Sequence, residues 1–433
     1  MTLTRDPDTA QVLAALSVPE SNPGFSRRRF LQASAIAGGG VAFAPMLSQL
    51  EAFAAPPLKS TDTILVLIML SGGNDSLNMV VPHNDSNYHA LRPTIGLDQS
   101  QTLNISTAVG LHPALVKMKQ RYDAGDVALI QGVGYNPPDF SHFTSMGYWM
   151  QGWGGASQGV PTGWVGRYLD DLPNAAIESL YAVTLNTNGV PLHLVGSQGR
   201  GSALPMSVGG RFGVNRSNQD DARLYDDVAT FARAGRSGLG QWGDTIARTN
   251  ANVLRMTGRI APAYPANPNS NWFVRQMELV AGLVNRNLGI RVFNVTLDGF
   301  DTHTGQLAGH ADLMDSLDKG IDALFTKLSP SWADNVMSLT FSEFGRRPEE
   351  NDGAGTDHGT SGAAIAVGPR VKGGLYGQMP SLANAQLVDY GNLKSHVDYR
   401  SVYATVLQKW MNADDKQILG KTYSQLGFVN SHP

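Results

Sequence analysis

Residues 291–297 read Arg-Val-Phe-Asn-Val-Thr-Leu and residues 336–341 read Val-Met-Ser-Leu-Thr-Phe. Both are short runs rich in β-branched residues that lack clean polar alternation, as expected of strands covered on both faces of a parallel sheet. Between them Leu313, Leu317, Ile321, Leu324 and Leu328 recur at helical spacing. Strand, helix and strand in alternation predict a doubly wound α/β fold with a mostly parallel sheet. Outward from this unit the pattern repeats. Phe273, Met277, Val280 and Val284 mark a helix before residue 291, and Thr63–Leu70 and Val127–Val133 are two further runs of the same kind.

The segment from Gly152 to Gly240 differs. It is rich in Gly, Ser and Asn, with short apolar pieces and Trp153, Trp164 and Phe212 between them. This predicts an insertion or cap over about 152–260, with the Pro- and Asn-containing stretch Ala261–Asn271 leading back to the core.

Composition excludes several function classes. Of 433 residues 42% are hydrophobic and 16% charged, so the chain can bury a large core and is not a disordered one. Lys plus Arg number 33 against 36 Asp plus Glu, a net charge of −3, which provides no basic stripe for nucleic acid. There is no cysteine, which removes disulfides, thiolate metal sites, iron–sulfur clusters and cysteine nucleophiles. A metal would have to sit on His, Asp, Glu or hydroxyl groups.

The N-terminus reads as an address. Ser26-Arg27-Arg28-Arg29-Phe30-Leu31-Gln32 resembles the twin-arginine export signal, and a small-residue apolar stretch from Ala33 to Pro45 follows it. That stretch is too short and too glycine-rich to span a bilayer. Ala52-Phe53-Ala54 before Ala55 reads as a signal-peptidase site. The expectation is a signal peptide over 1–54, a mature domain over 55–433 with no integral membrane span, passage through the twin-arginine translocase, and a periplasmic or secreted location.

In open α/β sheets ligands bind at the carboxyl ends of the strands, so the residues after each run are the candidates. After the first run comes Ser71-Gly72-Gly73-Asn74-Asp75-Ser76, a glycine turn presenting Asp75, which also reads as a helix cap. After the second comes Asn136-Pro137-Pro138-Asp139-Phe140, then Ser141-His142-Phe143-Thr144-Ser145 at a helix start. The third leads to Gly299-Phe300-Asp301-Thr302-His303, then Gln306 and His310. The fourth leads to Ser342-Glu343-Phe344-Gly345-Arg346-Arg347 and on to Gly355-Thr356-Asp357-His358-Gly359. Asp301 and His303, at i and i+2 of an extended chain, offer an oxygen and a nitrogen ligand on one side. Glu343 at the end of a buried strand needs a cation, either Arg346 or Arg347 or a metal.

At these residues the chain resembles the domain-of-unknown-function 1501 family of exported bacterial proteins, which is distantly similar to the alkaline phosphatase and sulfatase superfamily. The resemblance rests on Gly-Gly-Asn-Asp-Ser-Leu-Asn at 72–78, Ser-His-Phe at 141–143, Gly-Phe-Asp-Thr-His at 299–303, and Glu-Phe-Gly-Arg with Thr-Asp-His-Gly within 343–359, and implies an alkaline phosphatase-like α/β domain. It further implies metal ligands among Asp75, Asp301, His303, Glu343, Asp357 and His358, with one divalent metal, zinc or manganese, on Asp301, His303 and His358, and a weaker second one using Asp75 and Glu343. Ser141 or Ser145 would be the nucleophile near helix-terminal N–H groups. His142 could act as acid, base or ligand, and Arg346 or Arg347 as an electrostatic clamp on the oxyanion. The reaction implied is hydrolysis of phosphate or sulfate esters, on a small-molecule or glycan substrate, by serine or metal-bound water. The chain departs from the superfamily in ways that bear on this. Glu343-Phe344 stands where an Asp-His pair is usual, Asp-Thr-His shortens the usual Asp-x-x-x-His, and Ser71 takes the usual Asp position. Phenylalanine cannot ligate, and the alternative is a non-catalytic periplasmic binding or scaffold protein with a degenerate metal site.

Overall fold

Strand β1 (Ile64–Ser71) runs along the middle of the sheet, and its buried apolar residues on both faces explain why the run lacks polar alternation. In this computed structural model the described residues are 57–154, 162–172, 180–185, 189–197, 202–206 and 258–430. The export signal read over 1–54 lies outside them.

After β1 the chain makes one helical turn, α1 (Ser76–Met79), then β2 (Val127–Gly134) and helix α2 (His142–Gln151). Helix α3 (Trp164–Asp170) and strands β3 (Leu180–Leu185) and β4 (Ser202–Met206) come next. Helix α4 (Trp272–Asn285), β5 (Val292–Asp298), the long helix α5 (Gln306–Lys327) and β6 (Val336–Phe341) form the unit from which the fold was predicted. A hairpin, β7 (Gly345–Glu350) and β8 (Thr356–Gly359), precedes β9 (Gly362–Val367), β10 (Gly374–Gly377), β11 (Val397–Asp398) and helix α6 (Tyr399–Thr405).

Among the described residues the central sheet has nine strands, in the order β10-β2-β9-β6-β1-β5-β3-β4, with β11 also on β2. Its pairings are parallel except where β9 runs antiparallel between β2 and β6. This is the expected mixed α/β class with a large, mostly parallel sheet. Register aligns the strand ends: Ser71 pairs with Asp298 and Met69 with Phe341, so the loops after β1, β5 and β6 leave one rim together.

Both faces are covered. Leu65, Leu67, Met337, Leu339 and Phe341 pack with Trp149, Trp164, Tyr399 and Tyr403 of α2, α3 and α6. Residues of opposite parity, Val66, Ile68, Phe293 and Val295, are buried as well, and Gln276 of α4 donates to Thr296 O of β5. Helix α4 begins at Asn271, whose side chain accepts from Phe273 and Val274 N–H, and presents Phe273, Met277, Val280 and Val284 to the interior. Gly320 lets α5 meet the Phe273 ring, because a Cβ there would lie 2.4 Å from it.

The segment expected as an insertion contributes to the sheet itself. Strand β3 pairs with β5 and β4 with β3, both in parallel. The six-residue run Leu180–Leu185 is wholly buried, but its brevity among Gly, Ser and Asn residues hides it in the sequence. Residues 207–257 lie outside the described ones. All these elements belong to one compact unit, 54–209 with 263–433, and of the second unit, 1–53 with 210–262, only 258–262 are described. Among the described residues no helix is long and apolar enough to cross a membrane.

Candidate metal centre

The rim is held by backbone that only glycine permits. Gly72 and Gly73 have φ of 116° and 79°, and a Cβ on Gly72 would lie 2.4 Å from Asp301 N. A Cβ on Gly73 would strike the Phe344 ring at 2.4 Å. The loops after β1, β5 and β6 are thus stacked on one another. Gly72 N donates to Glu343 Oε1 (2.9 Å), and Phe300 N donates to Ser71 O (3.0 Å).

Helix α2 starts at this rim. Ser141 is its N-cap, accepting from Thr144 N, and the next residue, His142, leans over the strand ends. The β7–β8 hairpin brings Arg346 opposite His358. Asp301, half-exposed, stands at the centre. Its Oδ1 lies 3.0 Å from His303 Nε2 and 3.1 Å from His358 Nε2, its Oδ2 lies 3.5 Å from His142 Nε2, and the two imidazole nitrogens of His303 and His358 are 3.1 Å apart.

The opposite nitrogen of each ring meets an acceptor. His142 Nδ1 faces Glu343 Oε1 (2.8 Å), His303 Nδ1 faces Asp357 Oδ1 (3.2 Å), and His358 Nδ1 faces the Phe140 carbonyl (2.9 Å). A carbonyl or ionised carboxylate only accepts, so each neutral ring carries its proton on Nδ1 and turns the Nε2 lone pair toward Asp301. Three lone pairs and a carboxylate gathered this closely repel one another; Arg346, bonded to Asp301 Oδ1 (2.6 Å), offsets the carboxylate alone, whereas a cation on the Nε2 side would be bound by all of them. A tetrahedral ion with bonds of about 2.0–2.1 Å separates its ligands by roughly 3.3 Å, which matches the spacings here. Among the described residues His142, Asp301 and His358 form a group able to hold a metal ion, and the contacts of His303 place it beside them. The residues present therefore fit a divalent metal.

Of the expected ligands, Asp301, His303 and His358 come together, and His142 joins them. Glu343 and Asp357 do not face that centre by these contacts. Each lies behind a histidine, Asp357 fixed also by Asn351 (3.1 Å) and held below the usual carboxylate range mainly by that bond. Asp75 is fully buried and committed elsewhere. It caps α1, accepts two bonds from Arg92 (2.5 and 3.0 Å) and one from Gln306 (2.5 Å). Burial pushes its carboxyl up, but Arg92 prevails and the net shift is downward. Both carboxylates expected to hold a second metal are thus engaged by protein donors, Asp75 by Arg92 and Gln306 and Glu343 by Gly72 N and His142 Nδ1.

The expected catalytic residues are also revised. Ser145 is buried, donates to the Glu343 carbonyl and accepts from Tyr135 (2.8 Å), so its hydroxyl is not free to attack. Arg346 is fully buried and binds the Gly73 (2.7 Å), Thr356 (2.6 Å), Gly72 and Phe300 (3.1 Å) carbonyls together with Asp301 Oδ1 (2.6 Å). It pins the turns and orients Asp301 and cannot also clamp an oxyanion. Partial burial raises the Asp301 carboxyl, but the Arg346 guanidinium outweighs it and holds it down at about 2. Phe344, buried, packs its ring on His142 and His358, with centroids 4.9 and 4.4 Å away.

A cleft of about 570 Å³ opens beside the cluster, lined at its polar end by Ser71, Gly72, His142, Asp301 and Glu343. Ser71 and Arg92 escaped the sequence reading. Ser71 appeared there only as a missing aspartate, and Arg92 lies in a stretch without any motif.

No curated protein matches the chain. Solved structures resemble it loosely. A protein in the alkaline phosphatase superfamily from Vibrio parahaemolyticus is 6% identical, with 79% of this chain and 73% of that chain covered and a TM-score of 0.33. An alkaline phosphatase from the Antarctic bacterium TAB5 is 8% identical (71% and 92% covered, TM-score 0.30), and the PsFucS1 sulfatase from Pseudoalteromonas sp. 11% (84% and 72% covered, TM-score 0.32). At the level of sequence, residues 138–422 match the family described as Protein of unknown function (DUF1501). That span starts just before the α2 cap and takes in all four residues of the histidine–aspartate cluster, and over it the chain belongs to the DUF1501 family.

Proposed function

We propose that this protein is an exported, metal-dependent hydrolase of phosphate or sulfate esters. The observation that carries the reading is the orientation of three imidazoles, each with Nδ1 tied to an acceptor and Nε2 directed at Asp301. That is the arrangement in which histidine ligates a metal, the partner on the far nitrogen fixing tautomer and ring direction. Imidazole with carboxylate suits zinc or manganese better than calcium, which prefers oxygen. His142, Asp301, His303 and His358 would hold the ion, and the chemistry it supplies is Lewis acidity toward an ester oxygen.

The chain's own groups define the rest. Among the described cleft-lining residues Ser71 carries the one hydroxyl, so the attacking oxygen comes from Ser71 or from water. Attack forms a bond from that oxygen to phosphorus or sulfur and releases its proton, while the bond to the leaving oxygen breaks and that oxygen takes up a proton; an ester formed on Ser71 is then hydrolysed by water. Ser141 remains at the helix cap and bears on the site through the placement of His142. For location, the proposal rests on Arg27 and Arg28 and the Ala-Phe-Ala site, and replacing both arginines with Lys should leave precursor in the cytoplasm.

A binding or scaffold role is the second reading, favoured by Phe344, whose ring, unable to ligate, packs against both His142 and His358. Metal analysis of protein purified without chelators, with a panel of aryl phosphates and sulfates, decides between them. Stoichiometric metal with ester hydrolysis, both lost in His358→Ala, supports the hydrolase. Stoichiometric metal without hydrolysis, or neither metal nor hydrolysis, overturns the hydrolase and leaves the binding or scaffold role.

A further inference from the structure

One wall of the cleft is apolar, and α2 builds most of it. Residues 142, 143, 146, 147 and 150 share a face of this helix at i, i+4 and i+8 spacing, and all five line the cleft. After His142 the face reads Phe143, Met146, Gly147 and Met150, and Met69 and Leu192 continue it. Phe143 is 92% exposed and presents its ring beside the metal cluster. Gly147 leaves a gap in the middle of this face, for a Cβ there would meet nothing within 4 Å. Methionine side chains flanking such a gap adapt to flat apolar shapes.

The rest of the lining limits what can bind. None of the described lining residues is Lys or Arg, and Arg346 beneath the site spends its donors on four carbonyls and Asp301. A ligand with several anionic groups would find one cation, at the cluster. A polyol laid along α2 would find methionine, phenylalanine and glycine where it needs donors and acceptors. A volume of about 570 Å³ suits a small organic molecule and exceeds what a bare oxyanion requires.

We infer that the substrate is an ester carrying a single anionic group on a flat, apolar body of aryl type, with the anion at the histidine–aspartate cluster and the body along Phe143, Met146, Gly147 and Met150. The inference rests on the hydrolase reading for the placement of the anion and adds the identity of the body.

Calorimetry on the zinc-loaded protein tests it with non-hydrolysable pairs, 2-naphthylphosphonate against methylphosphonate and the two matching sulfonates. In the pair that binds, the naphthyl member should bind at least about tenfold tighter. Gly147→Leu fills the gap with a better helix former, so the fold is not weakened, and the affinity ratio should fall toward one. Equal affinity of naphthyl and methyl members for the wild type, or an undiminished ratio in Gly147→Leu, overturns the inference while leaving the hydrolase reading intact. Failure of all four ligands to bind protein that holds its metal overturns the hydrolase reading and the inference with it.

Discussion

Glu343 Oε1 accepts from His142 Nδ1 at 2.8 Å, and this contact determines which imidazole nitrogen faces Asp301. The same oxygen accepts from Gly72 N at 2.9 Å, so one buried carboxylate joins the turn after β1 to the first residue of α2. Glu343 therefore acts on the centre through His142, as Asp357 does through His303.

Removing that acceptor should weaken metal binding without removing a ligand. Glu343→Ala leaves the Gly72 and His142 N–H groups unpaired and frees the ring to rotate or to change tautomer. Competition with a chromophoric chelator should show metal affinity reduced about ten- to a hundredfold. Glu343→Gln keeps an acceptor oxygen but loses the charge and should fall between wild type and Glu343→Ala. Wild-type affinity in Glu343→Ala would show that His142 needs no such partner, or is no ligand.

How far the sequence led depended on what each feature required. The four long runs were legible as strands because burial on both faces leaves a continuous apolar signature, and their polar ends followed from where a parallel sheet keeps its loops. Asp301 and His303 were legible as a pair because residue type and spacing restrict them, and His358 joined them through the family resemblance. The division of carboxylates into ligand, orienting partner and structural anion was not legible. It depends on side-chain direction and on partners remote in sequence. Asp75 follows a glycine turn at a strand end as Asp301 does, yet Arg92, 17 residues on, claims it. Ser145 lies one turn from Ser141 on the same helix, and only packing against Tyr135 and the Glu343 carbonyl separates their roles.

The Asp75–Arg92 pair gives a prediction about stability. Both side chains are fully buried, and Arg92 also donates to Asn78 (2.8 Å) and to the Arg347 (2.9 Å) and Pro348 (2.8 Å) carbonyls. Arg92→Met leaves the Asp75 charge with Gln306 and the Leu77 N–H alone. Denaturant unfolding at pH 7 should record a loss of about 3–5 kcal/mol, the cost of breaking a buried pair from one side. Adding Asp75→Asn should recover part of it. The folded-state pKa of Asp75 lies below its ordinary 3.8, so the pair's contribution is present above that value and is lost as pH falls below it. An Arg92→Met protein as stable as wild type would show that the pair is not a structural anchor.

Two buried histidines outside the centre predict a second, separate dependence on pH. Burial pushes His193 and His310 down from 6.5 to about 4, the nearby Asp75 charge only partly opposing this for His310. In the unfolded chain each takes up a proton near 6.5, whereas in the folded protein each stays neutral until about pH 4. Between these values the unfolded state binds more protons, so folding stability falls as pH falls, and above 6.5 the histidines contribute no slope. The expected gradient is about 1.4 kcal/mol per pH unit for each histidine. Unfolding free energies of the chelator-treated protein at pH 7, 6 and 5 measure it. The difference between wild type and His193→Gln, or wild type and His310→Gln, isolates one residue, because every other ionisable group is common to both proteins. Each variant should be less sensitive to acid by that gradient between pH 6 and 5, and identical slopes in variant and wild type would show that these histidines take up their protons in the folded state.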